Sequence, residues 1–341
     1  MVVTPLREAS DIAVRSIAAP VSDAFCLVRT GHRRQRPSHG RVGWQVVNLE
    51  VEGRRLRYRV TDNVHPTSAP QPERIWAMSL HGYFAGGSMY ARESEALAER
   101  LGWRVVNPSL PGFGGSDPLP DAEVSMARLT EELHRVVEHL GIRRMVLLGH
   151  SMGAAVAMHL AANDPDSVLG VLYRDGVATP GWQHRHGAVA RLFGGALPEV
   201  APMADMVAAA TLDLPDLLVG HALATVRSLL PDLRHNVRSF AWSQPIAAML
   251  MRLDLTEDVQ RVRESGIPVL AEWGCFDRLV PPSTATEFAE VSGLDVHWIP
   301  GGHSWMLARP SGQADVLTEM AWGREFLNAV DARRVALAPL R

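Results

Sequence analysis

Three short stretches hold side chains whose types and order fit nucleophilic catalysis. "LLGHSMGAAVA", Leu147 to Ala157, sets Ser151 between Gly149 and Gly153, behind an apolar run and ahead of small residues at helical spacing. A serine hydroxyl is a weak nucleophile near neutral pH and needs a base, itself oriented by a carboxylate. "HWIPGGHSW" offers His303 and "AEWGCFDRLVPP" offers Asp277, each just past an apolar run. G-x-S-x-G alone says little, because Gly and Ser are common: Ser151 is either a nucleophile or a small residue in a packed turn. Its context says more. The serine directly follows the strand-like "RRMVLLG" and precedes the helix-like "MGAAVAMHLAAN", so the turn between them must be abrupt. Gly149 and Gly153, without Cβ atoms, let strand and helix approach closely and leave the serine on the corner. The helix start then aims free amides and the positive end of its dipole at the space where an oxyanion would form.

Composition removes other chemistries. None of the 341 residues is lysine, which excludes Schiff bases, Ser-Lys dyads and a P-loop lysine. A chain that is 47% hydrophobic and 21% charged reads as soluble and globular, with ample length for a large core. The formal charge of -3, with both signs interspersed, gives no footprint for nucleic acid; "GHRRQRPSHGR" is basic but reads as a solvated arm. Cys26 and Cys275 form no C-x-x-C pair or metal-spaced cluster, so neither a disulfide framework nor a metal site is expected, and a reducing compartment fits best. The N-terminus lacks a continuous apolar h-region and no apolar run is long enough to span a bilayer; the expected location is cytoplasmic, without stable membrane insertion.

The elements that must position these residues are legible as alternating runs. "WQVVNLEVEGRRLRYRV" predicts a hairpin turning at Glu52 and Gly53. Buried strands follow in "RIWAMSLHG", "WRVVNPSL", "RRMVLLGH", "VLGVLYRDG", "IPVLAEWG" and "DVHWIPGG", separated by amphipathic segments such as Asp121 to Leu140 and Pro281 to Val291. Continuously apolar strands alternating with helices imply an α/β fold, with a mostly parallel sheet covered on both faces and ligands beyond the carboxyl ends of the strands. Ser151, Asp277 and His303 then share one edge. Between about Val177 and Ser265 no clear strand occurs and Ala, Leu and Met dominate, which reads as a helical insertion.

On these residues the chain resembles the α/β-hydrolase superfamily, in the branch with a helical cap between strands six and seven. The order Ser151, Asp277, His303 matches that family's nucleophile, acid and base. "SLHGYFAGGS" resembles its HG turn after strand three, and "SLPGFGGSD" its loop after strand four; the match runs from about Trp44 to Ala329. The resemblance implies an eight-stranded sheet in a core of residues 44–176 and 266–341, a cap over 177–265 and an N-terminal extension over 1–43. It also implies an oxyanion hole from the backbone amides of Tyr83 and Met152. His303 would take the Ser151 proton and Asp277 would hold the imidazole's tautomer. Gly82, Gly149 and Gly153 would shape the site, with His81 and His150 holding loops in place. Asp175, in "LYRDG" at the end of strand six, is the alternative acid, because some members place it there; Asp277 is favoured by "WG-x-x-D" before "VPP", although it could instead cap the following helix. Cys275 reads as a small core residue. Ala154 stands where a second glycine often follows, and "ARP" after His303 lacks a common glutamate; neither change removes a reacting group. A carboxylate nucleophile, as epoxide hydrolases and haloalkane dehalogenases require, is absent.

The insertion supplies Leu192, Phe193, Leu197, Met203, Met206, Leu212, Leu217, Leu218, Trp242, Met249, Leu250 and Met251, an inventory for an apolar, adaptable pocket unless these residues only pack the cap against itself. The first expectation is therefore a cofactor-free, metal-free serine hydrolase that cleaves carboxylic esters with an apolar part through an acyl-enzyme, as a monomer or homodimer. Arg185, Arg191, Arg234 and Arg238 support another expectation, a carbon-carbon hydrolase that grips the carboxylate of a dienoate substrate. Perhydrolase or lyase chemistry on the same triad, or a ligand-binding protein without turnover, completes the alternatives.

Overall fold

The computed structural model describes residues 43–62, 74–183 and 230–337. The first hairpin forms as its pattern predicts: β1 (Gly43–Val51) pairs antiparallel with β2 (Arg54–Asp62), and Val51 lies opposite Arg54. Both turn residues have positive φ, 51° at Glu52 and 74° at Gly53, the backbone that a two-residue type I′ connection needs. Six further strands follow: β3 (Trp76–Leu80), β4 (Arg104–Pro108), β5 (Met145–His150), β6 (Val168–Arg174), β7 (Val269–Gly274) and β8 (Val296–Ile299). The sheet order is β1-β2-β4-β3-β5-β6-β7-β8. β2 runs antiparallel to its neighbours and the remaining pairs are parallel, so this is the eight-stranded, mostly parallel sheet expected.

The continuous apolar runs resolve into alternation once the sheet is formed. Met145 and Leu147 of β5 pack into one core, Val146 and Leu148 into the other, because successive strand residues point to opposite faces. One face is covered by α2 (Met126–Leu140), α3 (Met152–Asn163), α6 (Thr256–Glu264) and α7 (Pro282–Ser292). The other is covered by α1 (Ala91–Leu101), α8 (Trp305–Ala308), α9 (Gly312–Glu319) and α10 (Ala321–Ala336). Between α3 and α6 in sequence lie α4, a helical stretch over residues 230–238, and α5 (Phe240–Leu250).

Local chemistry sets the boundaries more sharply than periodicity does. The amphipathic segment expected from Asp121 begins its α-helix at Met126, because Ser125 is extended and its hydroxyl accepts the Arg128 amide at 3.1 Å; residues Asp121–Glu123 form a 3₁₀ turn instead. Gly141 and Gly293, both left-handed, end α2 and α7. Within the span read as a cap, α6 packs against α3 on the sheet, where Asp258 Oδ2 lies 2.6 Å from His159 Nδ1. Residues 1–42 and 184–229 lie outside the described residues, and with them the extension up to Val42 and Leu192, Phe193, Leu197, Met203, Met206, Leu212, Leu217, Leu218, Arg185 and Arg191.

Register aligns the strand ends that matter. Leu80 pairs with Gly149, His150 with Arg174, Arg174 with Glu272, and Gly274 with Ile299. The loops that follow β3, β5, β6, β7 and β8 therefore leave the sheet along one edge.

Candidate active site

Ser151 stands where that edge turns most sharply. Its amide still donates to Arg174 O at 3.0 Å, as the last rung of the sheet, while its carbonyl already accepts the Ala154 amide at 3.0 Å, as the first bond of α3. One residue must serve both elements, which forces φ to 56° and ψ to -119°. Such a backbone costs about 1–3 kcal/mol in a non-glycine residue and persists only where packing over-determines it. The flanking glycines provide that packing. A Cβ at Gly149 would lie 2.4 Å from Ala154 Cα, and one at Gly153 2.1 Å from Leu80 O, so Gly149 brings strand to helix and Gly153 brings the helix onto the end of β3. Three of the four positive-φ residues other than glycine among the described ones, Phe84, Ser151 and Asp175, stand on this edge.

His303 and Asp277 meet beside this corner. His303 Nδ1 lies 2.8 Å from Asp277 Oδ2, and both are buried. An ionised carboxylate only accepts, so Nδ1 carries the ring proton and Nε2 is the basic nitrogen. The other Asp277 oxygen accepts the amides of Leu279 and Val280, each at 2.8 Å, so the carboxylate also organises the loop ahead of α7. Asp175 is differently engaged: Oδ1 accepts the Gly274 amide at 2.7 Å and Oδ2 accepts the Trp305 indole N–H at 3.0 Å. Burial, and then the charge of Asp277, push the Asp175 carboxyl well above the usual carboxylate range. Polar atoms of Asp175, Asp277 and His303 lie within 4.8 Å of one another, with the hydrogen bond between His303 Nδ1 and Asp277 Oδ2 among these contacts.

The HG turn lies directly over the serine, since a Cβ at Gly82 would be 3.2 Å from Ser151 Cβ. His81 Nε2 accepts the Leu110 amide at 2.9 Å, leaving the proton on Nδ1 to donate to Gly82 O at 2.8 Å. That carbonyl shares a peptide plane with the Tyr83 N–H, so His81 fixes where that amide points. Burial holds His81 down to about 4, so the ring stays neutral for this task. Among the described residues, the amides of Tyr83 and Met152 donate to no protein acceptor. A small pocket at the corner is lined by Tyr83, Ser151, Met152, Val177, Trp182, Leu250, Leu279 and Val280, apolar apart from the serine and tyrosine hydroxyls and the Trp182 indole N–H.

A family model for the alpha/beta hydrolase fold matches residues 78–310. The chain belongs to that family. The sn-1-specific diacylglycerol lipase ABHD11 of Mus musculus is 27% identical over 310 residues, spanning 89% of this chain and 92% of that one. Among solved structures, a membrane phospholipase A from a bacterium aligns with TM-score 0.60 and 21% identity, covering 97% of this chain and 99% of the other. An enol-lactonase from Burkholderia xenovorans LB400 aligns with TM-score 0.59 and 20% identity, covering 83% and 100%. These two structural likenesses speak for the fold.

In this α/β-hydrolase, several residues that matter at the edge belong to no sequence motif. On α4, Asp232 Oδ2 accepts the amides of Ser88 and Met89 at 2.9 and 3.1 Å, and one turn later Asn236 donates to the carbonyls of Phe84 and Ala85 at 2.8 and 2.9 Å. Asn236 also accepts the Gly114 amide at 2.9 Å, and the Tyr83 hydroxyl lies 2.8 Å from Ser243 Oγ on α5. The segment between β6 and β7 thus grips the HG turn through backbone groups, which no side-chain motif encodes; the spacing of four between Asp232 and Asn236 was the available clue. Arg234 and Arg238 on the same helix are exposed, as is Trp242, whereas Leu250 lines the pocket. Cys275 is half-buried just past the end of β7, where its amide still donates to Ile299 O at 2.9 Å, and it belongs to neither core. Beneath the corner, Arg174 pairs with Glu93 and contacts Gln313, which donates to Glu272 at 3.2 Å, with all four buried. Burial drives Glu272 up to about 7.

Proposed function

We propose that the protein is a serine hydrolase that cleaves carboxylic esters with an apolar portion through an acyl-enzyme. In this reading, Ser151 Oγ attacks the carbonyl while His303 Nε2 takes its proton and later passes it to the leaving alkoxide. Asp277 keeps the imidazole in the tautomer with Nδ1–H and stabilises the imidazolium. The Tyr83 and Met152 amides receive the tetrahedral oxyanion, each contributing about 3 kcal/mol at the transition state. Water then attacks the acyl-enzyme by the same proton path reversed. The observation that carries the reading is the strained Ser151 backbone at a strand-helix corner on the same edge as the hydrogen-bonded His303–Asp277 pair.

On this reading the span 177–265 serves as a lid; of its described residues, Trp182 and Leu250 line the pocket and α6 packs against α3. The apolar lining supports an ester over a dienoate acid, and of the four arginines considered for a carboxylate the two described ones, Arg234 and Arg238, are exposed. The lipase name of the mouse relative agrees with carboxylic ester chemistry. No helix among the described residues is long and apolar enough to cross a membrane.

A fluorophosphonate probe and p-nitrophenyl esters of graded chain length test the proposal against Ser151→Ala. Labelling and hydrolysis by the wild type and neither by the variant are expected; an unlabelled wild type, or equal labelling of both, refutes it.

A further inference from the structure

Three of the loops on the catalytic edge are joined by a buried chain of hydrogen bonds that the reaction itself does not use. The Gly82 amide donates to Tyr90 Oη at 3.3 Å, and Tyr90 Oη lies 2.6 Å from His150 Nδ1. His150 Nε2 lies 2.8 Å from the main-chain carbonyl of His303, and the two imidazoles contact each other with centroids 4.6 Å apart and planes tilted by 46°. The direction of the chain follows from its last link. A carbonyl can only accept, so His150 Nε2 carries the proton; a neutral ring then has a bare Nδ1, and Tyr90 must donate to it. Neutrality is enforced by burial, reinforced by the adjacent His303 and Arg174, which together hold His150 well below its ordinary range. Tyr90 is 1% exposed and His150 3%, so no water competes for these partners.

Each end of the chain is a backbone group next to a reacting one. Gly82 immediately precedes the Tyr83 amide, His150 immediately precedes Ser151, and the acceptor at the far end belongs to His303 itself. We propose that Tyr90 and His150 are positioning residues that tie the oxyanion-binding turn to the loop of the general base through one directional hydrogen-bond relay. The inference rests on the reading of Ser151 and His303 as nucleophile and base. What the relay contributes is a fixed distance between oxyanion donor and base, which binding of the ground-state ester does not require and the tetrahedral transition state does.

Tyr90→Phe removes one hydroxyl and keeps the ring. Thr61→Val is the matched control: Thr61 Oγ1 is equally buried and accepts the Val105 amide at 2.8 Å, but in β2, away from the edge. Tyr90→Phe is expected to lower kcat on p-nitrophenyl butyrate and the rate of Ser151 phosphonylation about tenfold while KM stays within about twofold, as loss of transition-state positioning demands. Thr61→Val is expected to lose comparable thermal stability with neither rate changed. Wild-type rates in Tyr90→Phe, or equal slowing in Thr61→Val, would overturn the proposal. Imidazole ¹⁵N spectra judge the relay separately from turnover. They are expected to show His150 protonated on Nε2 and bare on Nδ1, with the Nδ1 resonance shifted in Tyr90→Phe; the opposite tautomer, or no shift, overturns the relay. A wild type that neither labels nor hydrolyses, with the expected spectra, refutes the serine-hydrolase reading and leaves the relay standing.

Discussion

Two turns in this protein impose nearly the same φ on a residue other than glycine, and they hold it by different means. At the β1–β2 hairpin Glu52 has φ 51°, followed by Gly53 at φ 74° with nothing within 4 Å of where its Cβ would be. At the β5–α3 corner Ser151 has φ 56°, and Cβ atoms on its flanking glycines would meet backbone at 2.4 and 2.1 Å. The hairpin turn is set by a local match between turn and strand twist. The corner is set by three elements, β5, α3 and β3, that leave the serine no other conformation. The charges beside the two turns differ in the same way. Glu52 is exposed and paired with Arg128 at 2.7 Å, which lowers its carboxyl below the ordinary range. Arg174, whose carbonyl accepts the Ser151 amide, is buried between Glu93 and Glu272, where desolvation outweighs pairing and raises both acids. Strain at a surface turn is local, whereas strain at the corner is sustained by the surrounding fold.

That contrast can be broken in order of size. Gly153→Ala should be the most damaging change, costing about 3 kcal/mol or more because the new methyl meets Leu80 O, seen as a lower urea midpoint or failure to accumulate folded protein. Glu272→Gln should next remove a pH dependence. The folded pKa of about 7 lies above the ordinary 4.5, so the stabilising contribution of the bound proton is complete below about pH 4.5 and is lost as pH rises through 7. Urea titrations should therefore find the variant gaining on the wild type across that window by an amount on the order of a few kcal/mol; parallel curves would argue against a protonated Glu272. Ser151→Gly should abolish hydrolysis yet raise stability by about 1 kcal/mol, the relief of positive φ outweighing the added freedom of the unfolded chain. A less stable Ser151→Gly would mean the corner is not strained. Smallest is Gly53→Ala, expected to cost about 1 kcal/mol or less with kcat unchanged, because only the left-handed backbone is penalised and no neighbour is struck.

The same division separates what could be read from the chain. The hairpin, the six later strands, of which β8 is only half-buried, the strand-turn-helix around Ser151 and the order Ser151, Asp277, His303 were legible because each is a local pattern of apolar runs, glycines and turn residues. Helix starts were legible only to a few residues, since the cap at Ser125 competes with an equally amphipathic stretch from Asp121. The pairs that tie loop to loop were not legible. Tyr90 reads as one more aromatic, yet its hydroxyl joins residues 82 and 150. Glu272, in the middle of an apolar strand, looks like an error of patterning until Arg174 and Gln313 are found beside it.

By itself, then, the sequence determined the alternation of strands and helices, the absence of lysine chemistry and the three side chains that could form a triad, because these depend on residue type and short spacing. The sequence favoured Asp277 over Asp175 as the partner of His303, and only the tertiary structure shows how the two are told apart. Asp175 and Asp277 both end up buried near the imidazole, but Gly274 and Trp305 occupy the first while the second faces Nδ1. Hydrogen bonds are allotted by distance and direction between chain segments far apart in sequence, and those are fixed only when the sheet brings its carboxyl ends into register.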